Sequence, residues 1–432
     1  MIKKLFWIGI FLLASAPVLA SIFLIISGLL SSKKNFQKFV QDKWNLVFIF
    51  SSILMPLFAL FQNNFIEPDG SIVPLINNWE KSLTWIGLSN WLPLFFCFIA
   101  FQEYVSTEKD RNIFCKLLIA GSFPIIISGF SQFFFQLYGP FEFLNGLIIW
   151  FQKPINPMEG ISAVFSNQNY AGAWYCIIFP FSLASFLDNK NSNLNKNICL
   201  TFLIFITISL VLTSSRSAWI GLITYIPLLM GISSLIWILP AIFLVSSLIL
   251  LANGNFVSPD FQLLIRGVLP KWLWLKFASE NYTYGLSRIE IWQAAILFIL
   301  QRPILGWGAV SFPLLYYSSK KIIIFHSHNL LLEFALSYGI PIAVLIFGTI
   351  FLICILSFLK IYVNCNPRKI NLYDRAWFSA FVVLLLSQFV DIQYYDGRIS
   401  FIFWILLAGL KELINSHKTI SNYSSEPLPT DQ

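Results

Sequence analysis

Three short motifs hold most of the side chains in this sequence that could do chemistry. The first, Thr213-Ser214-Ser215-Arg216-Ser217-Ala218-Trp219, joins two apolar runs. Its serines are of the type that caps a following helix. The second, Ser287-Arg288-Ile289-Glu290, has the spacing of a capping box ahead of an apolar run ending at Leu300. As a helix that run is too short to span a membrane. The third, His326-Ser327-His328-Asn329, precedes a run from Leu330 to Leu336 and reads as another helix start, closing near Gly339 and Pro341. Arg216 and Arg288 both fall in the first turn of a helix. A cation there opposes the macrodipole by about 0.3–1 kcal/mol. The placement makes sense where an anion binds, because free N–H groups, dipole and guanidinium then converge on one ligand. The planar fork of arginine suits a phosphate better than lysine does.

Two of the chain's 3 histidines lie in one tetrad. A helix N-terminus disfavours the charged imidazole, which predicts a neutral His328 able to accept a proton. His326 is the accessory member. Two histidines at i and i+2 with no cysteine beside them do not make a zinc site, so neither a metal nor a cofactor is expected. Glu290 reads most simply as the capping-box partner. Asn167 and Asn169, in Phe165-Ser166-Asn167-Gln168-Asn169, stand at the outer end of an apolar run, where helix capping is the simplest role. Asn169, Asn329, Gly306 and Gly308 are accessory candidates. The two glycines, in Gly306-Trp307-Gly308 after Pro303, form either a tight turn or a loop facing substrate. The 6 cysteines lack metal-ligand spacing and read as small core residues.

The elements that must position these residues are membrane helices. Of 432 residues, 57% are hydrophobic and 11% charged, where a soluble domain carries about 25% charge. That excludes a soluble enzyme, a disordered chain and a secreted disulfide scaffold. The apolar runs are continuous rather than alternating, which excludes a β-barrel. The expected fold is all-α, a polytopic transmembrane helical bundle of 11–12 spans. Ten spans are placed at 45–62, 83–101, 117–138, 168–187, 197–213, 217–231, 235–252, 339–359, 376–390 and 399–412. The opening run, 5–30, is one long span or a hairpin around Pro17. Lysines and arginines crowd alternate loops, 15 in one set and 4 in the short loops of the other, so the crowded set is assigned to the cytoplasm. A hairpin at 5–30 would put Lys3 and Lys4 on that side as well. One large extracytoplasmic loop then runs from about 252 to 337 and contains two of the three motifs. Its length and its Lys271-Trp272-Leu273-Trp274-Leu275 stretch predict an ordered segment lying on the membrane surface. The expected domain organisation is a single integral-membrane domain, 1–416, with a polar tail over 417–432.

Together the motifs resemble the O-antigen ligase and polymerase superfamily over about 160–360. The pieces are Phe165, Asn167 and Asn169, with Gly172 in place of an alanine; then Ser214, Arg216, Ala218 and Trp219. They continue with Arg288 and Trp292; Pro303, Gly306 and Gly308; and His328, Asn329 and Leu332 ahead of a Gly-x-Pro turn. The resemblance implies a 12-span fold in the plasma (inner) membrane and an undecaprenyl-diphosphate-linked glycan donor. It also implies outer-side arginines on the diphosphate, here Arg216 and Arg288, and a loop histidine as base, here His328. The acceptor would be a glycan, a lipid or a protein, and no nucleic acid is involved. The chemistry of the residues agrees: diphosphate is a good leaving group, so no carboxylic acid is needed to protonate it. Some relatives are described as bicarbonate transporters. A small-anion transporter and a non-catalytic partner in polysaccharide export are therefore the alternatives, although no span carries a charge well inside the membrane.

Overall fold

The computed structural model describes residues 2–62, 82–156, 159–188, 193–254, 257–269, 271–275, 277, 288–363 and 371–415. The chain opens with α1 (Ile2–Leu12) and α2 (Pro17–Gln41). Pro17 starts α2, where its missing N–H costs nothing. A Cβ on Gly9 would lie 2.7 Å from Cγ of Leu24, so α1 and α2 run antiparallel in close contact. The run 5–30 is therefore a hairpin. Then come α3 (Lys43–Phe61), α4 (Ser82–Leu88), α5 (Leu92–Phe101), α6 (Glu108–Gly121) and α7 (Phe123–Phe134). Asp42 caps α3 by accepting from the Trp44 N–H at 2.9 Å, and Thr107 caps α6 in the same way. Two three-residue strands, β1 (Phe141–Phe143) and β2 (Ile148–Trp150), form an antiparallel hairpin with Phe141 opposite Trp150. They are a small departure from an all-α fold.

The second half comprises α8 (Gln168–Leu187), α9 (Asn193–Leu212), α10 (Arg216–Met230) and α11 (Leu235–Asn253). The stretch expected as one large loop follows as short helices: α12 (Pro259–Val268), α13 (Lys271–Leu275), α14 (Arg288–Gln301), α15 (Phe312–Lys320) and α16 (Leu330–Tyr338). Arg266 covers the Trp274 ring at 4.5 Å, tying α12 to α13. The chain then returns through α17 (Ile340–Phe358), α18 (Leu372–Ser387) and α19 (Gly397–Asn415). Residues 278–287, with Ser287 of the expected capping box, and the tail 417–432 lie outside the described residues.

Among the described residues, 8 helical stretches are long and apolar enough to cross a membrane: Pro17–Gln41, Lys43–Phe61, Ser82–Tyr104, Glu108–Phe134, Gln168–Leu187, Asn193–Leu212, Ile232–Asn253 and Ile340–Val363. The protein is a polytopic helical membrane bundle. Helices α1, α10 and α18 are shorter, and α19 carries charge at both ends. Helices α8, α18 and α19 form the centre, where Trp174, Trp377 and Trp404 are fully buried. Helices enclosed by protein need not match the lipid thickness. Small residues let the backbones approach. A Cβ on Gly172 would meet Ser215 and Ala218 at 3.0 Å, and one on Gly409 would overlap the Trp377 ring. Among the described cysteines Cys97, Cys115, Cys176 and Cys354 are buried and Cys199 is half-buried, none in a disulfide.

Among the described residues, the ion pairs separate to two poles of the bundle. One pole joins Lys3 to Asp110 at 2.7 Å, Arg111 to Asp374 at 2.8 Å and Lys411 to Asp42 at 2.5 Å. All three cations come from the Lys- and Arg-rich loop set or the N-terminus. Helix α18 leaves this pole at Asp374, and α19 returns to it at Lys411. Residues 388–396, between them, lie at the opposite pole.

Lys411 is 3% exposed and also bonds Glu412 and Gln102, both at 2.8 Å. We expect Lys411→Ala to leave Asp42 and Glu412 without their cation and to cost about 3 kcal/mol. Thermal unfolding in detergent should show a clearly lower midpoint, with Lys411→Arg recovering part of it. An unchanged Lys411→Ala midpoint would contradict the assignment.

Candidate functional site

Helix α16 begins at Leu330 because Asn329 caps it, its side chain accepting from the Leu332 N–H at 3.1 Å. His328 therefore lies one residue outside the cap rather than in the first turn. Its φ is +55°, a left-handed conformation that a residue with a Cβ adopts at a cost. Ser214, before Arg216, has φ +53°. Strained turns of this kind cluster at functional sites. Helix α16 ends at Gly339, whose φ of +85° suits glycine, and α17 follows at once.

The segment after α18 supplies the other half of the site. Gln388 closes this loop, its side-chain oxygen accepting from the N–H groups of Gln393 at 3.0 Å and Tyr394 at 2.9 Å. Arg398 bonds both oxygens of Asp396, at 2.9 and 2.6 Å, and stacks over Phe165 at 3.8 Å. The loop is thus fixed against the start of α8. Its three successive carbonyls meet donors from elsewhere. Gln388 O accepts from the Leu330 N–H at 2.8 Å, Phe389 O from the Asn329 side chain at 3.1 Å, and Val390 O from Nη1 of Arg288. Carbonyls at a helix C-terminus need such partners. Arg288, misplaced against the dipole of α14, is well placed against the C-terminal end of α18.

Asp391 then reaches the tetrad. Its Oδ1 lies 3.0 Å from Nδ1 of His328, and its Oδ2 accepts from the Asn169 side chain at 2.8 Å. Burial pushes the Asp391 carboxyl up, but the His328 bond, the Arg288 charge and the two histidines outweigh it and hold it below the usual range. An ionised carboxylate only accepts, so Nδ1 of His328 carries the proton and Nε2 is the basic nitrogen. His326 packs edge-on against His328 with ring centroids 4.3 Å apart, and its Nδ1 accepts from the His328 backbone N–H at 3.2 Å. Its proton is therefore on Nε2. Burial, with help from His328 and Arg288, lowers the His326 pKa to about 4, although Asp391 opposes the shift. Glu333, on α16, accepts from the Ser327 N–H at 2.8 Å, and burial raises its carboxyl above the usual range despite that bond.

The fold thus gathers Asn169, Arg288, His326, His328 and Asn329 around Asp391. Asn167 is the cap of α8, accepting from the Asn169 N–H at 2.7 Å, while the Asn169 side chain turns to the carboxylate instead. Arg216 is the first residue of α10 and is exposed. The serine before it does not cap α10 with its side chain as expected. Ser215 Oγ lies 3.1 Å from Ser217 Oγ instead. Helix α10 packs on α8 at Gly172, one turn from Asn169, which brings Arg216 to the same pole. Gly306 and Gly308 stand apart from the cluster. Their φ values are +72° and +96°, and the turn they make packs on α16, with the Trp307 and Gly308 N–H groups donating to Leu336 O at 2.8 Å and Ser337 O at 3.0 Å. Sequence reasoning missed Asp391. Its signal was an acid immediately after the apolar run 376–390.

His326, His328 and Asp391 could hold a metal ion by distance, since their ligand atoms lie within 4.8 Å of one another. The positive Arg288 beside the carboxylate counts against a divalent cation there. The sequence alone offered two of these three ligands, which is why a metal site was not expected.

A family model described as O-Antigen ligase matches residues 201–347. That match supports assignment to the O-antigen ligase and polymerase family. The O-antigen ligase match covers about a third of the chain, from α9 into α17. It includes Arg216, Arg288, His326 and His328, while Asn169 and Asp391 join them only through the fold. No curated protein matches the chain.

The histidine shift fixes a pH dependence. Folded, His326 takes a proton near pH 4; unfolded, near its ordinary 6.5. Between those values the unfolded chain binds more protons, so stability falls as pH drops through that window. The lowered Asp391 adds a loss in the same direction at still lower pH. The unfolding midpoint in detergent should fall by several degrees from pH 7 to pH 4.5. His326→Gln should flatten part of that slope, and an unaltered slope in the variant would refute the role of His326.

Proposed function

We propose that this protein is an integral-membrane glycosyltransferase that transfers or polymerises an undecaprenyl-diphosphate-linked glycan on the outer face of the plasma membrane. The observation that carries the reading is the His328–Asp391 pair, with Arg288 behind it, at the pole opposite the Lys- and Arg-rich loops. The charge asymmetry of the loops supports an outer position for that pole.

In this reaction a hydroxyl of the acceptor attacks the anomeric carbon of the donor sugar. The bond from that carbon to the diphosphate oxygen breaks, and its electron pair leaves with the lipid diphosphate. Nε2 of His328 takes the proton of the attacking hydroxyl. Asp391 holds the ring in the tautomer that leaves Nε2 basic, and its charge stabilises the imidazolium that forms. Asn169 fixes the second carboxylate oxygen, so the plane of the carboxylate is set from outside the pair. Arg216 and Arg288, each at a helix start, stabilise the charge growing on the departing diphosphate. The acceptor is a lipid, a protein or the growing glycan itself.

Deletion of the gene in its host should leave lipid-linked oligosaccharide accumulating while surface glycan shortens or disappears. Short single-unit caps would mark a polymerase, and unlinked long chains a ligase. Complementation with His328→Ala should restore about 10²- to 10⁴-fold less transfer than wild type. Arg288→Ala should lose about 10²- to 10³-fold, with Arg288→Lys recovering part, because a lysine keeps the charge but not the fork. Membrane insertion must be intact in each variant. Wild-type surface glycan in the His328, Arg216 and Arg288 alanine variants would overturn the reading.

A metal test separates two uses of the same trio. With the guanidinium beside Asp391, transfer by purified protein should survive excess EDTA with no more than a twofold change. Loss on chelation and return on adding one divalent cation would assign His326, His328 and Asp391 as metal ligands instead.

A further inference from the structure

A cavity of about 300 Å³ opens beside the histidine pair. At roughly 30 Å³ per water, that is room for about ten waters, enough to admit one hexose ring. Trp91, Glu333 and Tyr338 form its buried depth, His326 one wall, and Phe325 and Tyr395 its exposed rim. Trp91 is held rigidly, stacked on Tyr394 at 4.5 Å and edge-on to Phe334 at 4.5 Å. Tyr338 is 1% exposed, and its hydroxyl has no hydrogen-bond partner among the described residues. A buried hydroxyl left unsatisfied is costly, so this one calls for a polar occupant.

The polar groups converge on the same space. His326 accepts through Nδ1 and so offers an Nε2–H donor. Glu333, spending one oxygen on Ser327, has a second for an occupant, and its raised pKa favours a carboxyl that can also donate. A pyranose has apolar C–H faces and a rim of hydroxyls. Aromatic walls with a few fixed polar groups match that pattern, whereas a diphosphate would meet no cation among these residues.

We propose that this cavity is a sugar subsite that binds one pyranose ring of the glycan substrate, with Tyr338, Glu333 and His326 hydrogen-bonding its hydroxyls. The proposal rests on the transferase reading, yet its test does not need transfer. The ring comes either from the acceptor, presenting the attacking hydroxyl to His328, or from the donor, next to its anomeric carbon. Tyr338, Glu333 and His326 are positioning residues in both cases.

The experiment is saturation-transfer NMR on the full chain in detergent, with the methyl glycosides of glucose, galactose, mannose and N-acetylglucosamine as probes. At least one glycoside should bind. Tyr338→Phe, which removes one oxygen from a packed ring, should weaken that binding about tenfold, the scale of one lost hydrogen bond. Glu333→Gln should weaken it too, while Lys109→Ala, at an exposed position in α6 at the opposite pole, should leave it within twofold. A short polyprenyl-diphosphate hexose that displaces the glycoside assigns the cavity to the donor sugar. Failure to displace it assigns the cavity to the acceptor. Displacement by polyprenyl diphosphate without a sugar overturns the proposal, as does binding of none of the four probes or binding indifferent to both cavity variants. Glycoside binding that persists while the gene deletion leaves both surface glycan and lipid-linked oligosaccharide unchanged would sink the transferase reading and leave the sugar site standing.

Discussion

An unpaired polar group inside a hydrocarbon slab costs several kcal/mol, and this constraint orders the whole molecule. The described ion pairs sit at the two poles of the bundle, and the helices between them are apolar. Arg111, Asp110 and Lys411 are buried, yet each has partners at one pole. At the other pole Asp391 pairs with His328, and Asp396 with Arg398. Chemistry that needs charge is therefore confined to the ends. Helices α18 and α19, both enclosed by protein, are the struts that keep the poles apart.

At the pole of the His328–Asp391 pair the design is one helix C-terminus facing two helix N-termini. The carbonyls after α18 lack helical partners, and the starts of α14 and α16 bring donors to them. This pairing is worth more than its hydrogen bonds. It sets the position of Asp391, which follows those carbonyls directly, relative to His328, which precedes the cap of α16. The acid–base pair is thus a consequence of how the backbone ends are satisfied. The Arg398–Asp396 pair and the Gln388 bonds then keep the loop from drifting.

The short helix α16 has its own support. The glycine turn at 306–308 bonds the end of α16, and the Gln62 side chain donates to Ser337 O at 2.8 Å from α3's end. Gly306 approaches Ser337 so closely that a Cβ would lie 2.7 Å from its carbonyl. These residues hold the tetrad without touching it. Tyr338 and Glu333 lie on the same helix, so the support that orients His328 also shapes the cavity beside it.

Much of this architecture was legible in composition and periodicity. Apolar runs near 20 residues can only be spans, and lysine and arginine fall where the loops alternate. The helix starts at Arg216, Arg288 and Asn329 were readable because caps and breaks have local chemistry. Other features were not local. Whether 5–30 crosses once or turns back depends on Gly9 meeting Leu24. Asn169 looked like a cap because asparagine usually caps; only the fold brings a carboxylate to it. Asp391 stands 63 residues from His328, and nothing in either segment names the other. Sequence determines which residues cannot enter lipid and where helices begin, because those are properties of short stretches. The pairing of ends at the pole, and with it the proton's place on His328, is decided by tertiary packing, because it depends on which helix lies beside which.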